Sequence, residues 1–468
     1  MAKVAACPND PDTTGALEAL GRLLGDRLSL SRAVRIQHAD DPTWNPALPA
    51  DAVAFPESEA EVAEIVRICA GRHVPVIAYG AGTSLEGHIA APCGGVCVDF
   101  SRMNEILEVS PEDLDCRVQP GVTRRQLNSY IRDTGLFFPI DPGADATIGG
   151  MVSTRASGTN AVRYGTIAEN VKALRVVTAS GEVLAAGTRA RKSAAGYDLV
   201  HLFTGAEGTL GLITEITLKL HGIPEAVVAG VCNFPTVKDA CEAVIETIQS
   251  AIPVARIELL DEATIATVNA YSHLELPERP TLFVEVHGTQ ASAREQIELF
   301  QEIAQAHDGT PGSWAEREED RNRLWRARHD AFWAAKAAHP GQVAMTTDVC
   351  VPISRLAECV TATQQDMREQ GLEGPIVGHV GDGNFHVILF SPPDDEERKA
   401  AITAFAERLA ERAIAMGGTI TGEHGIGMGK LKLMARQHGP EAIAAMRAVK
   451  QALDPHNILN PGKLVPWR

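Results

Sequence analysis

The sequence predicts an α+β protein in which an α/β domain precedes a domain of antiparallel strands and helices. Three observations support this fold class. A helical pattern followed by a short apolar strand occurs early in the chain, glycine-rich loops follow such strands, and longer alternating segments begin after Pro224. With 468 residues, the chain is long enough for about three structural units.

The composition is typical of a globular protein and excludes several classes of protein. No apolar run reaches the roughly 18 residues that a membrane span needs. The net charge of −17 repels phosphate backbones, so nucleic acid is not expected as a partner. The opening segment lacks the basic and apolar regions of a secretory signal, so we expect a cytoplasmic protein. The nine scattered cysteines predict reduced thiols and no disulfide framework.

The first clear unit begins near Asp51 with a helix followed by a strand. In PESEAEVAEIVRICAG, Ser58 and Glu61 have the spacing of a capping box, and apolar residues recur at helical spacing. The run VPVIAY then predicts a buried strand, GGVCVDF a second strand, and LITEITLKL, at 212–220, a half-buried strand. The predicted helical stripe consists of Val62, Ile65, Val66 and Cys69.

A different pattern follows Pro224, and it predicts the antiparallel domain. TLFVEVHG and GHVGDGNFHVILF are predicted strands, and 317–338 is predicted as one helix. Arg328 falls inside the apolar stripe of that helix. A buried arginine needs an anion, which is either an internal carboxylate or a bound substrate.

Three glycine-rich loops predict a backbone that approaches a flat or anionic ligand closely. They are YGAGTSLEGH at 79–88, DPGADATIGGMVSTRASGTNAVRYG at 141–165, and TGAEGTLG at 204–211. The first is neither a dinucleotide fingerprint nor a P-loop, because Leu85 and His88 replace the required glycine and lysine. Turns and tight helix packing are the structural alternatives. The glycines are Gly80, Gly82, Gly87, Gly143, Gly149, Gly150, Gly158, Gly165, Gly205, Gly208 and Gly211.

The segment GHVGDGNFH predicts a hairpin that pairs two histidines. With Asp382 and Gly383 as a type I′ turn, His379 would lie directly opposite His386, and two imidazoles so placed can chelate a metal ion. Glu423 in TGEHGIGMGK offers a third ligand, and the set suits zinc, manganese or iron. His424 is a candidate general base. The alternative is a pair of ordinary hydrogen-bonded histidines.

Together these segments resemble the flavoprotein family of the vanillyl-alcohol oxidase fold, and within it the FAD-dependent D-2-hydroxyacid dehydrogenases. PVIAYGAGTSLEGH resembles the pyrophosphate loop of the family, and the two other glycine-rich segments resemble its further FAD-contacting loops. HVGDGNFH and TGEHGIG resemble its metal and catalytic motifs, and DPHNILNPGK its C-terminal signature. The resemblance is specific because five separated motifs occur in the family's order.

The resemblance implies a domain organisation and a cofactor site. It implies an N-terminal helical segment at 1–47, a PCMH-type FAD-binding domain at 48–222, a substrate (cap) domain at 223–415, and a segment at 416–468 that returns to the FAD domain. It implies non-covalent FAD. The implied FAD-binding residues are Gly80, Ala81, Gly82, Thr83, Ser84, Gly87, Pro142, Gly143, Thr147, Gly149, Gly150, Ser153, Gly158, Thr159, Asn160, Glu207, Gly208, Ile213 and Asn460.

The resemblance also implies the chemistry. His379, His386 and Glu423 would bind Zn or Mn, His424 would be the base, and Arg328 would hold the substrate carboxylate, with the two histidines and Asn384 also at the substrate. The most similar branch of the family oxidises D-lactate and passes electrons to a quinone, a cytochrome c or an electron-transfer flavoprotein. A D-2-hydroxyglutarate dehydrogenase, a glycolate oxidase subunit and a metallohydrolase are the alternatives. A homodimer and a peripheral association with the inner membrane are left open.

Overall fold

The structure is a computed structural model, and it describes residues 7–467. The helices among these residues are α1 (Thr13–Leu24), α2 (Arg32–Gln37), α3 (Glu59–Ala70), α4 (Arg124–Ile131), α5 (Ile148–Thr154), α6 (Ala161–Tyr164), α7 (Ile167–Asn170), α8 (Leu199–Phe203), α9 (Val237–Gln249), α10 (Glu262–Ser272), α11 (Gln290–Ala306), α12 (Glu318–His329), α13 (Ala331–Ala338), α14 (Leu356–Glu369), α15 (Glu396–Ala415) and α16 (Met434–Leu453).

The strands begin with β1 (Leu28–Ser29), β2 (Ala52–Ala54), β3 (Val76–Tyr79), β4 (Val96–Asp99), β5 (Ile106–Ser110), β6 (Asp115–Val118), β7 (Leu136–Phe137), β8 (Val171–Val177), β9 (Val183–Gly187) and β10 (Leu212–Lys219). They continue with β11 (His221–Gly222), β12 (Ala226–Asn233), β13 (Val254–Leu260), β14 (Thr281–Gly288), β15 (Ser313–Ala315), β16 (Val343–Thr346), β17 (Val349–Cys350), β18 (Ile376–Gly378) and β19 (Asn384–Ser391).

Backbone contacts divide the described chain into two compact units. The first unit comprises 7–156, 166–223 and 423–467, and the second comprises 157–165 and 224–422. The second unit therefore includes a short segment of the second glycine-rich loop. The C-terminal part that belongs to the first unit begins at residue 423, whereas the sequence suggested 416.

The first unit contains two main sheets. One has the order β1-β2-β4-β3, with β2, β4 and β3 parallel, and the other is antiparallel with the order β5-β6-β10-β8-β9. The predicted strands VPVIAY, GGVCVDF and LITEITLKL correspond to β3, β4 and β10. Helix α3 is capped by Ser58, whose hydroxyl accepts a 3.3 Å bond from the Glu61 amide. The Glu61 carboxylate bonds Arg27 at 2.6 Å instead of completing the capping box.

The C-terminal segment pairs with the exposed side of β3. The Val76 amide donates to the Ile458 carbonyl, and the Asn460 amide donates to the Val76 carbonyl, each at 2.8 Å. This parallel pairing fixes the turn-rich DPHNILNPGK segment against the strand that precedes the first glycine-rich loop. The predicted return of the C-terminal segment to the FAD-binding domain is confirmed.

The second unit is built on one antiparallel sheet with the order β15-β12-β14-β13-β18-β19-β16, and β17 also pairs with β19. This confirms the predicted antiparallel α+β fold. The helix predicted at 317–338 is two helices, α12 and α13, separated at Asp330. Aspartate has poor helix propensity, which explains why the interruption falls there.

One prediction about the cysteines was wrong. Cys7 and Cys93 form a disulfide, although they are 86 positions apart in the sequence. Sequence spacing could not indicate the pair, because only the fold brings such distant residues together. The other seven cysteines are free thiols, and all except Cys350 are buried.

None of the helices at 7–467 combines the length and apolar character needed to cross a bilayer.

Candidate functional site

The glycine-rich loops of the first unit converge at the carboxyl end of β3. A side chain added at Gly80 would place its Cβ 2.3 Å from the Thr147 hydroxyl, so the first and second loops are in direct contact. A Cβ added at Gly208 in the third loop would lie 3.5 Å from the Cβ of Ala78 on β3. Gly82 has a φ of +68°, a backbone conformation that favours glycine. The three loops thus form one surface in which backbone replaces side chains.

Hydrogen bonds fix the second and third loops relative to each other. Thr147 caps α5 by accepting from the Gly150 amide, and the Ser153 hydroxyl donates to the Gly149 carbonyl at 2.8 Å. The Glu207 amide donates to the Ser153 carbonyl at 2.8 Å. These contacts give a surface that is rigid without large side chains, which fits a planar, phosphate-bearing cofactor.

The other residues expected at the cofactor lie in several places. Ala81, Thr83 and Gly143 are exposed, Ser84 and Pro142 are half-buried, and the buried Ile213 lies on β10. In the second unit, Gly158, Thr159 and Asn160 precede α6, and the Asn160 carbonyl oxygen of the side chain accepts from Arg256 Nε at 2.9 Å. Gly87, like Gly82, has a positive φ.

The loop at 423–430, which carries Glu423 and His424, is held by two glutamates of the first unit. The Glu207 carboxylate accepts from the amides of Ile426 and Gly427 at 2.7 and 2.8 Å. The Glu86 carbonyl accepts from the amides of Met428 and Gly429 at 2.8 and 3.1 Å. Both glutamates come from glycine-rich loops, so the loop with the candidate base is attached to the candidate cofactor surface.

The carboxylate of Glu207 is buried but ionised. Burial alone raises the pKa of a carboxyl group, but the charge of His88 and the hydrogen bonds from His88, Ile426 and Gly427 outweigh burial, and the pKa of Glu207 lies below its ordinary value. The Asn460 side-chain amide donates to the carbonyls of Glu207 and His88 at 2.7 and 3.2 Å. The side chains of Glu207 and Asn460 therefore support these loops from within.

His424 is almost fully buried, with 9% of its side chain exposed. Its Nδ1 lies 3.9 Å from Glu86 Oε1, and its Nε2 lies 3.9 Å from Glu423 Oε1. Lys430 is 3.0 Å from the same Glu86 oxygen. The imidazole thus has carboxylate groups near both nitrogens, an environment that suits a group that gains a proton.

The histidine hairpin of the second unit forms, but its predicted register was wrong. His386 pairs with Val377 and not with His379. The His379 carbonyl instead accepts from the Asn384 amide at 3.3 Å, so the loop between these paired positions has four residues. Of the two predicted turn residues, Gly383 has a positive φ, whereas Asp382 ends a short 3₁₀ turn. A type I′ turn needs a positive φ at both positions, so Asp-Gly here ends a longer loop.

The longer loop still brings the two imidazoles together. The ring centroids of His379 and His386 are 5.6 Å apart, and the rings are nearly perpendicular. His379 Nδ1 is 2.9 Å from Glu258 Oε1, and His386 Nδ1 is 3.0 Å from the Thr347 carbonyl. Both partners are acceptors, so each Nδ1 donates its proton, and in the neutral ring each Nε2 carries the lone pair. In this arrangement Nε2 is the nitrogen suited to binding a metal ion, and the pair therefore fits a divalent cation.

Arg328 is buried and has an internal carboxylate partner. Its Nε and Nη2 lie 2.9 and 2.8 Å from Glu258 Oε2. Of the two anions that the sequence left open, the internal carboxylate is therefore present in the fold. One glutamate bridges the arginine and His379.

Asp348 and Asn384 organise the residues next to the histidine pair. The Asn384 amide nitrogen donates to Asp348 Oδ1 and to the Val349 carbonyl, both at 2.8 Å. Asp348 Oδ2 accepts from the Thr421 hydroxyl at 2.6 Å and from the Gly422 amide at 2.8 Å. Asp348 thereby fixes the end of the second unit directly before Glu423.

Sequence reasoning missed Glu258, Arg256 and Asp348. The signal for two of them was present in VARIELL, which forms β13 and in which an arginine and a glutamate alternate with apolar residues. Strand β13 is central in its sheet, and charged residues are rare in such a strand unless they are paired. Arg256 pairs with Glu285 at 3.6 Å.

Residues 223–464 match the family of FAD linked oxidases, C-terminal domain, and residues 50–187 match the FAD binding domain family. The chain belongs to the FAD-linked oxidases. This membership confirms the resemblance and the enzyme class that the motifs predicted.

Relatives of this FAD-linked oxidase share much of its length. It is 49% identical to "Probable D-lactate dehydrogenase, mitochondrial" of Danio rerio, over 94% of this chain and 89% of the relative. It is 48% identical to "D-lactate dehydrogenase [cytochrome], mitochondrial" of Arabidopsis thaliana, over 89% and 73%. It is 34% identical to "Glycolate oxidase subunit GlcD" of Bacillus subtilis, over 93% of each.

Solved structures confirm the fold. The structure of p-cresol methylhydroxylase with substrate bound superposes with a TM-score of 0.80 at 19% identity, covering 98% of both chains. The 4-ethylphenol oxidase from Gulosibacter chungangensis gives a TM-score of 0.79 at the same identity, again covering 98% of both chains. At this identity the likeness concerns the fold of the FAD-linked oxidase and not its substrate.

Proposed function

We propose that this FAD-linked oxidase oxidises D-lactate, or a similarly small D-2-hydroxyacid, to the 2-oxoacid. The proposal depends on non-covalent FAD and one divalent metal ion, Zn or Mn. The observation that carries it is the histidine pair, in which both imidazoles present the metal-binding tautomer beside a buried arginine. The relatives named D-lactate dehydrogenase support the choice of substrate.

FAD would be held by the glycine-rich loops. The surface where they meet at the end of β3 supports this, because Gly80 and Gly149 stand where a Cβ would collide with Thr147 and Pro120. Close backbone approach of this kind suits a pyrophosphate group. Bound FAD would accept the hydride that leaves C2 of the substrate. The domain boundaries at 47, 222 and 415 remain part of the proposal.

His379, His386 and Glu423 would hold the metal ion. Two neutral imidazoles and one carboxylate match the donor set of catalytic rather than structural sites. The ion would lower the pKa of the substrate hydroxyl when bound. Glu423 belongs to a loop whose backbone is fixed by Glu207 and Glu86, so its side chain is presented from a rigid support.

The remaining steps belong to side chains of the chain itself. Arg328 would bind the substrate carboxylate through the edge of its guanidinium that includes Nη1, because Nε and Nη2 are directed at Glu258. Asn384 would offer its side-chain oxygen, because its nitrogen donates to Asp348 and Val349. His424 would accept the hydroxyl proton at a ring nitrogen.

The substrate is proposed to carry a single carboxylate. The buried arginine and lysine side chains among the described residues are Arg328, Lys430, Lys450 and Lys463. Lys430 lies beside Glu86, Lys450 beside Asp454, and Lys463 donates to the carbonyl of Ala90. A second substrate carboxylate would have to compete with these partners, and an unpaired buried carboxylate costs several kcal/mol. D-2-hydroxyglutarate is therefore expected to be a poor substrate.

Electron acceptor and location are proposed from the relatives. The name of the Arabidopsis relative includes a cytochrome, which favours a cytochrome-type acceptor over a quinone or an electron-transfer flavoprotein. The cytoplasmic location and the homodimer stay predictions, and two of the relatives described above are named mitochondrial. Glycolate is the second candidate substrate, because the Bacillus subtilis relative is named as a glycolate oxidase subunit.

Anaerobic mixing of the purified holoenzyme with single hydroxyacids tests the function. D-lactate should bleach the flavin absorbance near 450 nm within seconds, on the order of a typical enzymatic turnover. L-lactate should not, and D-2-hydroxyglutarate should have a kcat/KM lower by at least about 10². Equal efficiency with D-2-hydroxyglutarate would contradict the proposed monocarboxylate specificity. If glycolate were used faster than D-lactate, the second candidate would replace the first.

A further inference from the structure

Glu258 connects two parts of the proposed site, the histidine pair and Arg328, between which the sequence indicated no link. Its side chain is 1% exposed and lies on β13, between β14 and β18. One carboxylate oxygen is 2.9 Å from His379 Nδ1, and the other is within 2.9 Å of Arg328 Nε and Nη2. A single carboxylate is thus shared by a candidate metal ligand and the candidate substrate arginine.

The geometry determines what each oxygen does. A carboxylate that neutralises a buried guanidinium is ionised and can only accept hydrogen bonds. The proton of the His379 ring is therefore on Nδ1, and the lone pair is on Nε2. A carboxylate behind a ligating histidine fixes the orientation of the ring and increases the basicity of the nitrogen that faces the metal.

The support for Glu258 is rigid. Leu259, the next residue on β13, pairs with Gly378 on β18, and Gly378 directly precedes His379. A side chain added at Gly378 would lie 2.7 Å from the Asn384 carbonyl, so the strand ends are closely packed at this point. The distance between Glu258 and His379 is set by backbone pairing and not by a mobile loop.

We propose that Glu258 is the positioning residue of the metal site, acting on the metal through His379. This inference rests on the proposed function, because it requires that His379 binds a metal ion. It assigns to Glu258 a role beyond the neutralisation of Arg328. Glu258 also places the substrate arginine and the metal ligand on one support, so the two ends of the hydroxyacid are recognised at a fixed separation.

A matched control exists on the neighbouring strand. Glu285, on β14, is 4% exposed and also contacts a histidine and an arginine, with His287 at 2.8 Å and Arg256 at 3.6 Å. It contacts neither His379 nor Arg328 in the hydrogen bonds and ion pairs described for the chain at 7–467. Glu285→Gln therefore disturbs a similar buried network without touching the proposed ligand.

The experiment is a metal titration of the chelator-stripped, FAD-loaded full chain, with free Mn²⁺ read by electron paramagnetic resonance. We expect Glu258→Gln to weaken Mn²⁺ binding by about 10–100-fold and Glu285→Gln to leave it within about threefold. FAD content and thermal stability of all variants report on folding.

The outcomes separate this inference from the proposed function. Wild-type binding in Glu258→Gln, or equal weakening in Glu285→Gln, would overturn the role of Glu258 and leave the metal site intact. If the wild-type protein bound neither Mn²⁺ nor Zn²⁺, the metal site itself would be overturned. If Glu258→Gln does not fold because Arg328 is left uncompensated, Glu258→Gln/Arg328→Met removes both charges. The double variant should still bind Mn²⁺ 10–100-fold more weakly, and wild-type affinity would refute the inference.

Discussion

The two imidazoles of the second unit show how single acceptor atoms select a chemical role. Glu258 and the Thr347 carbonyl each take the proton of an Nδ1 atom, so both rings direct the same kind of nitrogen away from their supports. Had either partner been a donor, the other tautomer would be favoured, and Nε2 would carry the proton instead of the lone pair. The chemical identity of a site is thus set as much by the atoms behind the ligands as by the ligands.

His424 is expected to affect only the transfer of the substrate proton, and not the binding of FAD or of the metal ion. His424→Asn keeps the size and a hydrogen-bonding group but cannot accept a proton at neutral pH. We expect flavin reduction by D-lactate to slow by about 10²–10⁴, while FAD and metal content stay at wild-type levels. Stopped-flow absorbance measures the rate, and His438→Asn, an exposed histidine of the same unit, is the control. Reduction of His424→Asn at the wild-type rate would exclude this residue as the base.

Much of the site at this scale was predictable, and the failures have physical causes. The proximity of the two histidines and the burial of Arg328 were predicted because these residue types are unusual for their patterns, whereas the role of Glu423 stays a prediction. The register of the hairpin was missed because turn type depends on φ at Asp382, which composition does not determine. Glu258 was missed because its importance arises from two partners that are 70 and 121 residues away in sequence.

At the scale of elements, the loop at 423–430 depends on the cofactor loops for its shape. Gly425 and Gly427 have positive φ, and a side chain at Gly427 would lie 2.1 Å from the Glu86 carbonyl. The loop is therefore packed directly against the first glycine-rich loop and held by the third. Each of these loops could be predicted from its own sequence, but the contacts between them arise only in the tertiary structure.

Loss of the Glu207 carboxylate should loosen the loop at 423–430. A hydrogen bond to a charged acceptor contributes about 1.5–3 kcal/mol, so Glu207→Gln should speed amide exchange at Ile426 and Gly427 by about tenfold or more. Hydrogen–deuterium exchange measured by mass spectrometry checks this, with the exposed Glu182→Gln as the control. Unchanged protection in Glu207→Gln would show that the carboxylate does not hold the loop.

The same contact has a defined pH dependence. The pKa of Glu207 is lowered in the folded state, so its stabilising effect is complete above the ordinary glutamate pKa and is lost as the pH falls through the lower, folded value. The loop should accordingly remain protected at neutral pH. Of the elements next to these loops, β3 and β10 were predicted, because hydrophobic periodicity indicates strands well, whereas α5, α6 and α8 were not.

At the scale of the whole molecule, two units divide the proposed chemistry. The convergent glycine-rich surface and the loop with His424 belong to the first unit, and the histidine pair with Arg328 and Glu258 belongs to the second. The fold class could be predicted because the two units differ in strand pattern. The Cys7–Cys93 disulfide and the assignment of 157–165 to the second unit could not, because both depend on contacts between distant parts of the sequence.

This division predicts how the holoenzyme responds to metal removal. The contacts described for the glycine-rich surface, between Gly80 and Thr147 and between Ser153 and Gly149, are made by residues other than the proposed metal ligands. Dialysis against a chelator should therefore leave the yellow flavin bound. D-lactate should then fail to bleach the flavin, because the hydroxyl is no longer activated, whereas dithionite should still reduce it. Addition of Mn²⁺ or Zn²⁺ should restore bleaching by D-lactate.

Absorbance at 450 nm and flavin in the dialysate measure both halves of that prediction. If flavin were released in proportion to the metal, cofactor and metal would share one binding site, and the separation of the two functions between the units would be wrong. If D-lactate bleached the metal-free protein at the wild-type rate, Arg328 and His424 alone would suffice for the reaction. The histidine pair would then be explained by the ordinary alternative, two hydrogen-bonded core histidines that stabilise the end of β18 through Glu258 and Thr347.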